Sequence, residues 1–234
     1  MKLSIIIPVF NEEETIAQIV ERVRSVPLDT EIVMIDDASS DRSRDILYAF
    51  QSDSIKVVHH EINRGKGAAI ATGLRLCTGD VVVIQDADLE YDPRDFIDLI
   101  KPIEAGQADV VYGVRDLRSQ KPLMRFGNRF LTMLTNTLYG GNLNDMETCY
   151  KMMTRPVFER LDLECRRFDV EPEITAKILR MGFKIHEVPI HYEARHENKK
   201  LSPFDGWPAL RALLKYRLMH IPKVAPRRPP TPTP

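Results

Sequence analysis

The residue types best suited to chemistry stand at the end of one apolar stretch, Val81–Ile84. Four apolar residues without polar alternation are typical of a strand buried on both faces of a parallel sheet. Asp86 and Asp88 follow, and on an extended chain side chains two residues apart point to the same side. Two adjacent carboxylates repel unless a cation lies between them, and their oxygens suit Mg²⁺ or Mn²⁺. The pattern predicts a metal ion that carries a ligand's phosphates; the alternative is a strand that ends in a polar turn.

The composition indicates a soluble protein. A chain of 234 residues with 43% hydrophobic and 29% charged residues can form one large α/β domain, or one domain with an appendage. No apolar run approaches the ~18–20 residues of a membrane span, and the chain enters a strand near Lys2 without a signal-peptide layout, which predicts a cytoplasmic location. Cys77, Cys149 and Cys165 are too few and too scattered for a disulfide framework or a zinc site. The net charge of −1 argues against nucleic acid as a partner.

The charge is unevenly distributed along the chain. From Arg195 to Pro234 there are nine basic and two acidic residues, a net charge of +7, whereas the preceding residues sum to −8. A basic end on an acidic body favours a separate, anionic partner for that end.

Predicted strands and helices alternate along the first half of the chain. The strands are predicted at Leu3–Val9, Glu31–Ile35, Ile55–His60, Val81–Ile84 and Asp109–Val114. The first helix has Asn11 as its predicted N-cap. Its apolar face consists of Ile16, Ile19, Val20 and Val23. The alternation predicts a three-layer α/β, Rossmann-like fold with a mostly parallel central sheet and a ligand at the carboxyl ends of its strands.

Acidic residues follow the first, second and fourth predicted strands, a repetition that core packing does not require. They are Glu12, Asp36, Asp37, Asp86 and Asp88. The first βα turn lacks G-x-G-x-x-G, which argues against a dinucleotide-dependent dehydrogenase, and the sequence has no G-x-x-x-x-G-K-[ST] loop. The segment Gly65–Gly67 is by itself a generic start of a helix.

Four segments, taken in order, resemble the family 2 glycosyltransferases of the GT-A fold. They are Pro8–Glu12, Asp36–Asp41, Asn63–Gly67 and Asp86–Asp88. Four further segments resemble the dolichol-phosphate mannosyltransferase-like branch of that family. They are Gly113–Arg115, Asp145–Lys151, Phe168–Glu173 and Val188–Arg195. The likeness covers roughly residues 3 to 220.

The resemblance implies roles for individual residues. The nucleotide-sugar site would comprise Pro8, Phe10, Glu12, Asp37, Lys66, Asp86, Ala87, Asp88, Arg115, Arg195 and Lys200. The metal ligands would be Asp86, Asp88 and Glu90, the last at a position where relatives often carry Gln. The catalytic residues would be Asp88, Arg115, Asp145, Glu171, Arg195 and Lys200, with Lys199 as the alternative to Lys200. The alternative interpretation is that Lys66 only stabilises the turn in which it lies, and that Asp145 and Glu171 are structural hydrogen-bonding groups.

The resemblance also implies a reaction, the inverting transfer of a hexose from a GDP- or UDP-sugar to a polyprenyl phosphate. The metal and Arg115 would neutralise the leaving diphosphate. An acceptor phosphate with a second pKa of about 6 is largely dianionic at neutral pH and needs no strong base. It does need cations, because two like unit charges ~4 Å apart repel by about 4 kcal/mol at an effective dielectric constant of ~20. Arg195 and Lys200 would offset that repulsion.

Three other functions stay open at this point. Transfer to a saccharide or protein hydroxyl would require Asp145, Glu171 or Glu173 as a base. A sugar nucleotidylyltransferase is disfavoured because the Gly-rich, arginine-bearing first loop of those enzymes is missing. A non-catalytic module that binds sugar nucleotides is disfavoured because both aspartates and the late Arg/Lys pair are present.

The chain is predicted to comprise a GT-A catalytic domain (1–200), a basic amphipathic helix (201–223) and a Pro-rich disordered tail (224–234). Asp205 is the predicted N-cap of the helix. Its predicted apolar stripe consists of Trp207, Leu210, Leu214 and Leu218. A second apolar stripe, from Phe126 to Leu138, also suits a helix near lipid. We therefore expect peripheral binding at the cytoplasmic face of an anionic membrane, or an integral membrane partner; alternatively the stripe packs on the catalytic domain.

Overall fold

The structure is a computed structural model that describes residues 1–167, 169–195 and 206–224. The strands are β1 (Leu3–Val9), β2 (Thr30–Asp36), β3 (Ile55–His59), β4 (Val81–Ile84), β5 (Val110–Arg115), β6 (Lys151–Thr154) and β7 (Ile185–Ile190). The helices are α1 (Ile16–Arg24), α2 (Ser43–Phe50), α3 (Lys66–Leu76), α4 (Phe96–Glu104), α5 (Pro122–Tyr139), α6 (Arg155–Phe158), α7 (Val170–Met181) and α8 (Gly206–Leu218). Within these residues, none of the helices is both long enough and apolar enough to cross a bilayer.

The strands form one sheet in the order β3-β2-β1-β4-β6-β5-β7. All neighbouring strands run parallel except β6, which is antiparallel to both β4 and β5. The prediction of a mostly parallel sheet in an α/β fold is therefore confirmed. Because β6 is reversed, its amino-terminal end lies at the same edge of the sheet as the carboxyl ends of β4 and β5.

The first βα unit shows one confirmed and one wrong prediction. All four residues of the predicted apolar face of α1 are buried. Asn11, however, does not cap this helix, which begins at Ile16 after Thr15. Asn11 instead has a left-handed φ of 49°, which asparagine tolerates better than most residues, and its Oδ1 accepts a hydrogen bond from the Ser40 amide at 2.8 Å. The residue thus ties the loop after β1 to the loop after β2.

Helix α8 packs against α5 and α7 by a different face from the predicted stripe. The buried face consists of Ala209, Ala212, Leu213 and Tyr216. Three of the four stripe residues are solvent-exposed, Trp207 to 72%, Leu214 to 49% and Leu218 to 88%. The alternative in which the stripe packs on the catalytic domain is therefore wrong. The predicted cap Asp205 and the tail from residue 225 lie outside the described residues, and the domain boundaries stay a prediction.

Candidate active site

A cavity of about 430 Å³ opens at the edge of the sheet where β1, β2, β4 and β5 end. It brings together most of the residues predicted for the site. They are Pro8, Phe10, Glu12, Asp37, Lys66, Asp86, Ala87, Asp88, Glu90, Arg115, Glu171 and Arg195. Asp145 does not line the cavity, and Lys199 and Lys200 lie outside the described residues. The fold therefore assembles one site from residues that are up to 187 positions apart in the sequence (Pro8 to Arg195).

Asp37, directly after β2, is 3% exposed and its carboxylate is held by the protein itself. Its Oδ1 accepts a hydrogen bond from the Arg64 amide at 2.9 Å and lies 2.7 Å from His60 Nδ1. Its Oδ2 accepts one from the Gly65 amide at 2.6 Å. Asp37 thus anchors the loop that leads into α3, in addition to lining the cavity.

Lys66 stands at the start of α3 between two glycines, Gly65 and Gly67, which let the backbone of residues 165–166 pack closely against the helix. A Cβ at Gly65 would lie 2.2 Å from the Arg166 carbonyl oxygen, and Gly65 has a φ of 92° that favours glycine. The backbone around Arg166 can therefore pass directly over the start of α3. Lys66 Nζ lies 2.7 Å from Asp86 Oδ1 and 2.8 Å from Glu171 Oε1. Lys66 therefore bridges two carboxylates of the cavity as well as opening the helix.

The two aspartates after β4 have different electrostatic environments. Burial disfavours the charged form of Asp86, but the charge and hydrogen bond of Lys66 outweigh it and lower the pKa of Asp86 below its usual range. Burial, followed by the charges of Asp86 and Glu90, raises the pKa of Asp88 to about 7. Asp88 Oδ1 accepts one hydrogen bond, from the Glu90 amide at 3.1 Å. The protein therefore compensates the charge of Asp88 less than that of Asp86.

These carboxylates suit a divalent cation that arrives with a phosphorylated ligand. Among the described residues, no group of three acidic, histidine or cysteine side chains forms a complete metal cage. The oxygens of Glu90 accept hydrogen bonds from the Tyr192 hydroxyl and the Arg195 amide, both at 2.8 Å. Mg²⁺ in nucleotide sites is commonly held by one or two carboxylates and the phosphates of the ligand. Asp88 beside Asp86 fits this arrangement. Glu90 also holds the Tyr192–Arg195 segment, and its role as a metal ligand stays a prediction.

Arg115, at the end of β5, forms a buried, bidentate ion pair with Asp145. Its Nε lies 2.7 Å from Asp145 Oδ2, and its second nitrogen, Nη2, donates to Oδ1 at 2.9 Å. The ring of Tyr192 packs against the guanidinium, 5.1 Å from Cζ to the ring centroid. These contacts fix the Arg115 guanidinium in the cavity wall, and Asp145 positions it from behind.

Of the basic residues predicted in the carboxy-terminal part of the site, Arg195 lies within the described residues. Its Nη1 and Nη2 lie 3.2 and 3.4 Å from the carboxylate of Glu12, which belongs to the loop after β1. The Arg195–Glu12 ion pair therefore joins the carboxy-terminal segment to the first βα loop across the mouth of the cavity. Its positive charge also lies close enough to Asp88 to affect that carboxylate's pKa.

One acidic residue of the cavity, Glu147, was not predicted from the sequence, and Glu173, like Asp145 a candidate base, lies outside the cavity. Glu147 lines the cavity, and no role follows for it from the sequence although it falls within the segment Asp145–Lys151. Glu173 is fully buried beside Lys177, with Nζ 2.7 Å from Oε1, and does not line the cavity. Its carboxylate accepts hydrogen bonds from the Cys165 amide at 2.7 Å and the Tyr216 hydroxyl at 2.7 Å. Glu173 thus holds α8 and the segment before α7, outside the lining of the cavity.

A mostly parallel α/β sheet, with paired aspartates and cations in a cleft at its carboxyl edge, is an α/β architecture of the GT-A type, in which ligands bind outside the carboxyl ends of the strands. The chain belongs to glycosyl transferase family 2, whose family model matches residues 4–162. The family resemblance in the sequence segments is therefore confirmed.

The relatives share most of this chain. An undecaprenyl-phosphate 4-deoxy-4-formamido-L-arabinose transferase of Pseudomonas fluorescens is 32% identical over 212 residues, which cover 86% of this chain and 60% of that protein. The low-salt glycan biosynthesis hexosyltransferase Agl6 of Haloferax volcanii is 28% identical over 222 residues, 91% of this chain and 53% of that protein. This chain thus spans between 53% and 60% of the length of these curated relatives.

A solved structure supports the fold. The crystal structure of glucosyl-3-phosphoglycerate synthase from Mycobacterium tuberculosis in complex with Mn²⁺, UDP-glucose and phosphoglyceric acid matches with a TM-score of 0.73. The match covers 95% of this chain and 81% of that chain at 21% sequence identity. At this identity the likeness shows the shared GT-A fold.

Proposed function

We propose that this chain catalyses the inverting transfer of a hexose from a nucleotide sugar to a polyprenyl phosphate, with Mg²⁺ or Mn²⁺ as cofactor. The observation that carries the proposal is the cavity itself, in which Asp86 and Asp88 face the fixed cations Lys66, Arg115 and Arg195. A diphosphate needs such a combination, because its charge increases as the sugar leaves. Relatives named for undecaprenyl-phosphate and for hexosyl transfer support the substrate classes.

The cavity residues would stabilise the leaving diphosphate both by holding a metal ion and directly. A divalent cation bound at Asp86 and Asp88 would supply Lewis-acid neutralisation of the diphosphate. Arg115 stays charged at every relevant pH and is held in place by Asp145, so it requires little reorganisation when charge develops. Arg195 can exchange Glu12 for phosphate oxygens as the donor and the acceptor bind.

The acceptor class follows from the state of the candidate bases. Asp145 is paired with Arg115, and Glu171 is paired with Lys66, so each carboxylate is already engaged by a cation. This favours an acceptor that needs no strong base, and a phosphate monoester with a second pKa of about 6 is one. We therefore expect Glu171→Gln and Asp145→Asn to lower kcat only modestly, without the ~10²–10⁴-fold loss typical of a removed general base.

The experiment that tests this function compares two acceptors that differ only in the phosphate. The protein is incubated with Mn²⁺, a panel of UDP- and GDP-sugars, and either undecaprenyl phosphate or undecaprenol, and products are identified by mass spectrometry. The expected product is a glycosylated undecaprenyl phosphate, absent with undecaprenol, with EDTA and with Asp88→Asn. Transfer to the alcohol or to a saccharide, or full activity in EDTA, would contradict the proposal.

We also propose that the exposed apolar residues of α5 and α8, here called the α5–α8 surface, bind an anionic membrane. Helix α5 exposes four large apolar side chains along one face, and α8, which packs against it, adds three. They are Leu123, Phe126, Phe130, Met133, Trp207, Leu214 and Leu218. Arg211 and Arg217 lie on the exposed sides of α8, and each basic residue near an anionic leaflet contributes about 1 kcal/mol.

Vesicle sedimentation tests this surface. Wild-type protein should bind vesicles that contain phosphatidylglycerol, and the bound fraction should fall as salt is added. Phe126→Ser combined with Trp207→Ser should reduce binding, whereas Tyr48→Ser, which removes an exposed aromatic residue of α2, should not. Equal binding to neutral and anionic vesicles, or none to either, would contradict this membrane role.

A further inference from the structure

Glu147 is a carboxyl group of the cavity that takes part in none of the ion pairs described above. Asp86 and Glu171 are bridged by Lys66, and Glu12 by Arg195. Glu147, in contrast, is half-buried, and its Oε1 is shut off from solvent without a hydrogen-bond partner in the described part of the chain. A buried polar atom without a partner is costly, so its retention in a binding cavity points to a ligand that satisfies it.

The position of Glu147 along the sheet edge indicates which part of the donor it meets. Asp37 follows β2, Asp88 follows β4, and Glu147 stands four residues before β6, the next strand beyond β4. A nucleotide sugar is a linear sequence of base, ribose, diphosphate and hexose. A donor whose nucleoside lay beside Asp37 and whose diphosphate lay beside Asp86 and Asp88 would extend its hexose toward β6.

The surroundings of Glu147 keep its carboxyl group partly protonated near neutral pH. Burial and then the charge of Glu171 raise its pKa to about 7; Asp145 acts in the same direction, whereas Lys151 and Arg115 oppose them. Lys151 does not neutralise it through a hydrogen bond, because its Nζ donates to the carbonyl oxygens of Met146, at 2.9 Å, and Thr148. A protonated carboxyl group both donates and accepts a hydrogen bond, as a sugar hydroxyl does.

We propose that Glu147 binds a hydroxyl group of the transferred hexose and thereby determines which sugar the site accepts. This inference rests on the proposed function. A site that hydrogen-bonds a substrate hydroxyl discriminates against analogues without it, because the buried carboxyl would then be left unsatisfied. Glu147 is therefore a residue for sugar selection, separate from the groups that hold the diphosphate.

The test compares binding of a sugar nucleotide with binding of its own nucleoside diphosphate. From the UDP- and GDP-sugar panel, the donor that wild-type protein binds most tightly with Mn²⁺ is titrated calorimetrically into wild type, Glu147→Ala and Glu147→Gln. Glu147→Ala should weaken binding of the sugar nucleotide about ten-fold or more, with the nucleoside diphosphate unchanged. Glu147→Gln, whose amide can also donate and accept, should retain most of the affinity. Glu104→Gln, an exposed carboxyl at the end of α4, is the matched control.

Deoxy-sugar analogues of the same donor identify the hydroxyl. The analogue that lacks the contacted hydroxyl should bind wild type weakly and lose no further affinity in Glu147→Ala, as a double-mutant cycle requires. An equal loss of the nucleoside diphosphate and the sugar nucleotide would overturn the proposal in favour of a structural role. A ~10²–10⁴-fold loss of kcat in Glu147→Gln with unchanged donor binding would overturn it in favour of a general base. Wild type that binds no sugar nucleotide would instead refute the proposed function.

Discussion

The two ends of the cavity differ in how the protein surrounds an aspartate. At the β2 end, the carboxylate of Asp37 accepts hydrogen bonds from the amides of Arg64 and Gly65 and contacts His60. At the β4–β6 end, Asp88 accepts one amide hydrogen bond, and its nearest charged neighbours include Asp86 and Glu90, so that its pKa rises to about 7. The hydrogen bonds of Asp37 are satisfied within the protein at the β2 end, whereas the charge of Asp88 at the β4–β6 end is poorly compensated and suits a cation.

This difference separates structure from chemistry within one site. The amides of Arg64 and Gly65, just before α3, satisfy both oxygens of the Asp37 carboxylate and tie the loop to it. At the end of β4, burial and the charges of Asp86 and Glu90 destabilise the charged form of Asp88, which costs folding free energy but prepares the site for a metal and a diphosphate. Substitutions at the two ends should therefore have different consequences for stability and activity.

The largest expected effect is on turnover at the β4–β6 end. Asp88→Asn should reduce the transfer rate by about 10²–10³-fold or more, because the leaving diphosphate loses its main electrostatic support. The free energy of unfolding of the metal-free protein should stay the same or rise, since a strained like charge is removed. Asp86→Asn should also lose activity but should lower stability, because Lys66 then loses one of its two buried partners. Initial rates measure the activity of both variants, and urea unfolding without metal measures their stability. An Asp88→Asn protein less stable than wild type would contradict the expected difference between Asp88 and Asp86.

The next largest effect is on folding at the β2 end. Asp37→Ala leaves two backbone amides and His60 without their acceptor and should lower the free energy of unfolding by about 3 kcal/mol, at roughly 1 kcal/mol for each lost hydrogen bond. Asp53→Ala, at an exposed residue before β3, is the control and should change it little. Urea denaturation of both proteins gives the comparison. A loss no greater than that of the control would show that the β2 end is not held together by this carboxylate.

The smallest effect is a dependence of stability on pH at the β4–β6 end. The pKa of Glu147 is raised from 4.5 to about 7, so the folded state keeps a proton that the unfolded state releases. Its contribution to stability is present below pH 4.5, declines as the pH rises and is lost above about 7. The unfolding free energy of wild type relative to Glu147→Gln should therefore fall by about 2–3 kcal/mol between pH 4 and pH 8. Urea unfolding of both proteins at each pH measures this, and a constant difference would contradict the assigned environment.

Local sequence patterns sufficed for the elements with strong signals. The β-branched run Leu3–Val9 was predicted with its observed bounds, and the apolar face of α1 is buried as expected. Strands β6 and β7 were not predicted. The first has only four residues, Lys151–Thr154, and includes a lysine and two methionines, and the second contains Pro189. Their strand structure depends on pairing with β5, over 30 positions away, which no local pattern encodes.

In the site, the sequence by itself determined the cluster of functional groups, because the carboxyl ends of parallel strands meet at one edge. Which charges pair there was decided by the tertiary structure. Asp145 lies behind Arg115, Lys66 bridges Asp86 and Glu171, and Glu147 is left without a partner at Oε1. Each of these pairings requires residues far apart in the chain to come within a few ångströms of one another. The pKa shifts of the carboxyl groups depend on the same distances.

Helix α8 also separates what the sequence determined from what the tertiary structure decided. The sequence determined that the helix would form and that it has apolar residues on more than one side. The tertiary structure decided which side is buried. Ala209 and Ala212 allow close approach to the neighbouring helices, and Leu213 and Tyr216 fill the space beside them, so the bulkier stripe with Trp207 stays exposed. The periodicity of a sequence shows that a helix face is apolar, but the shape of the neighbouring helices selects which apolar face packs against them.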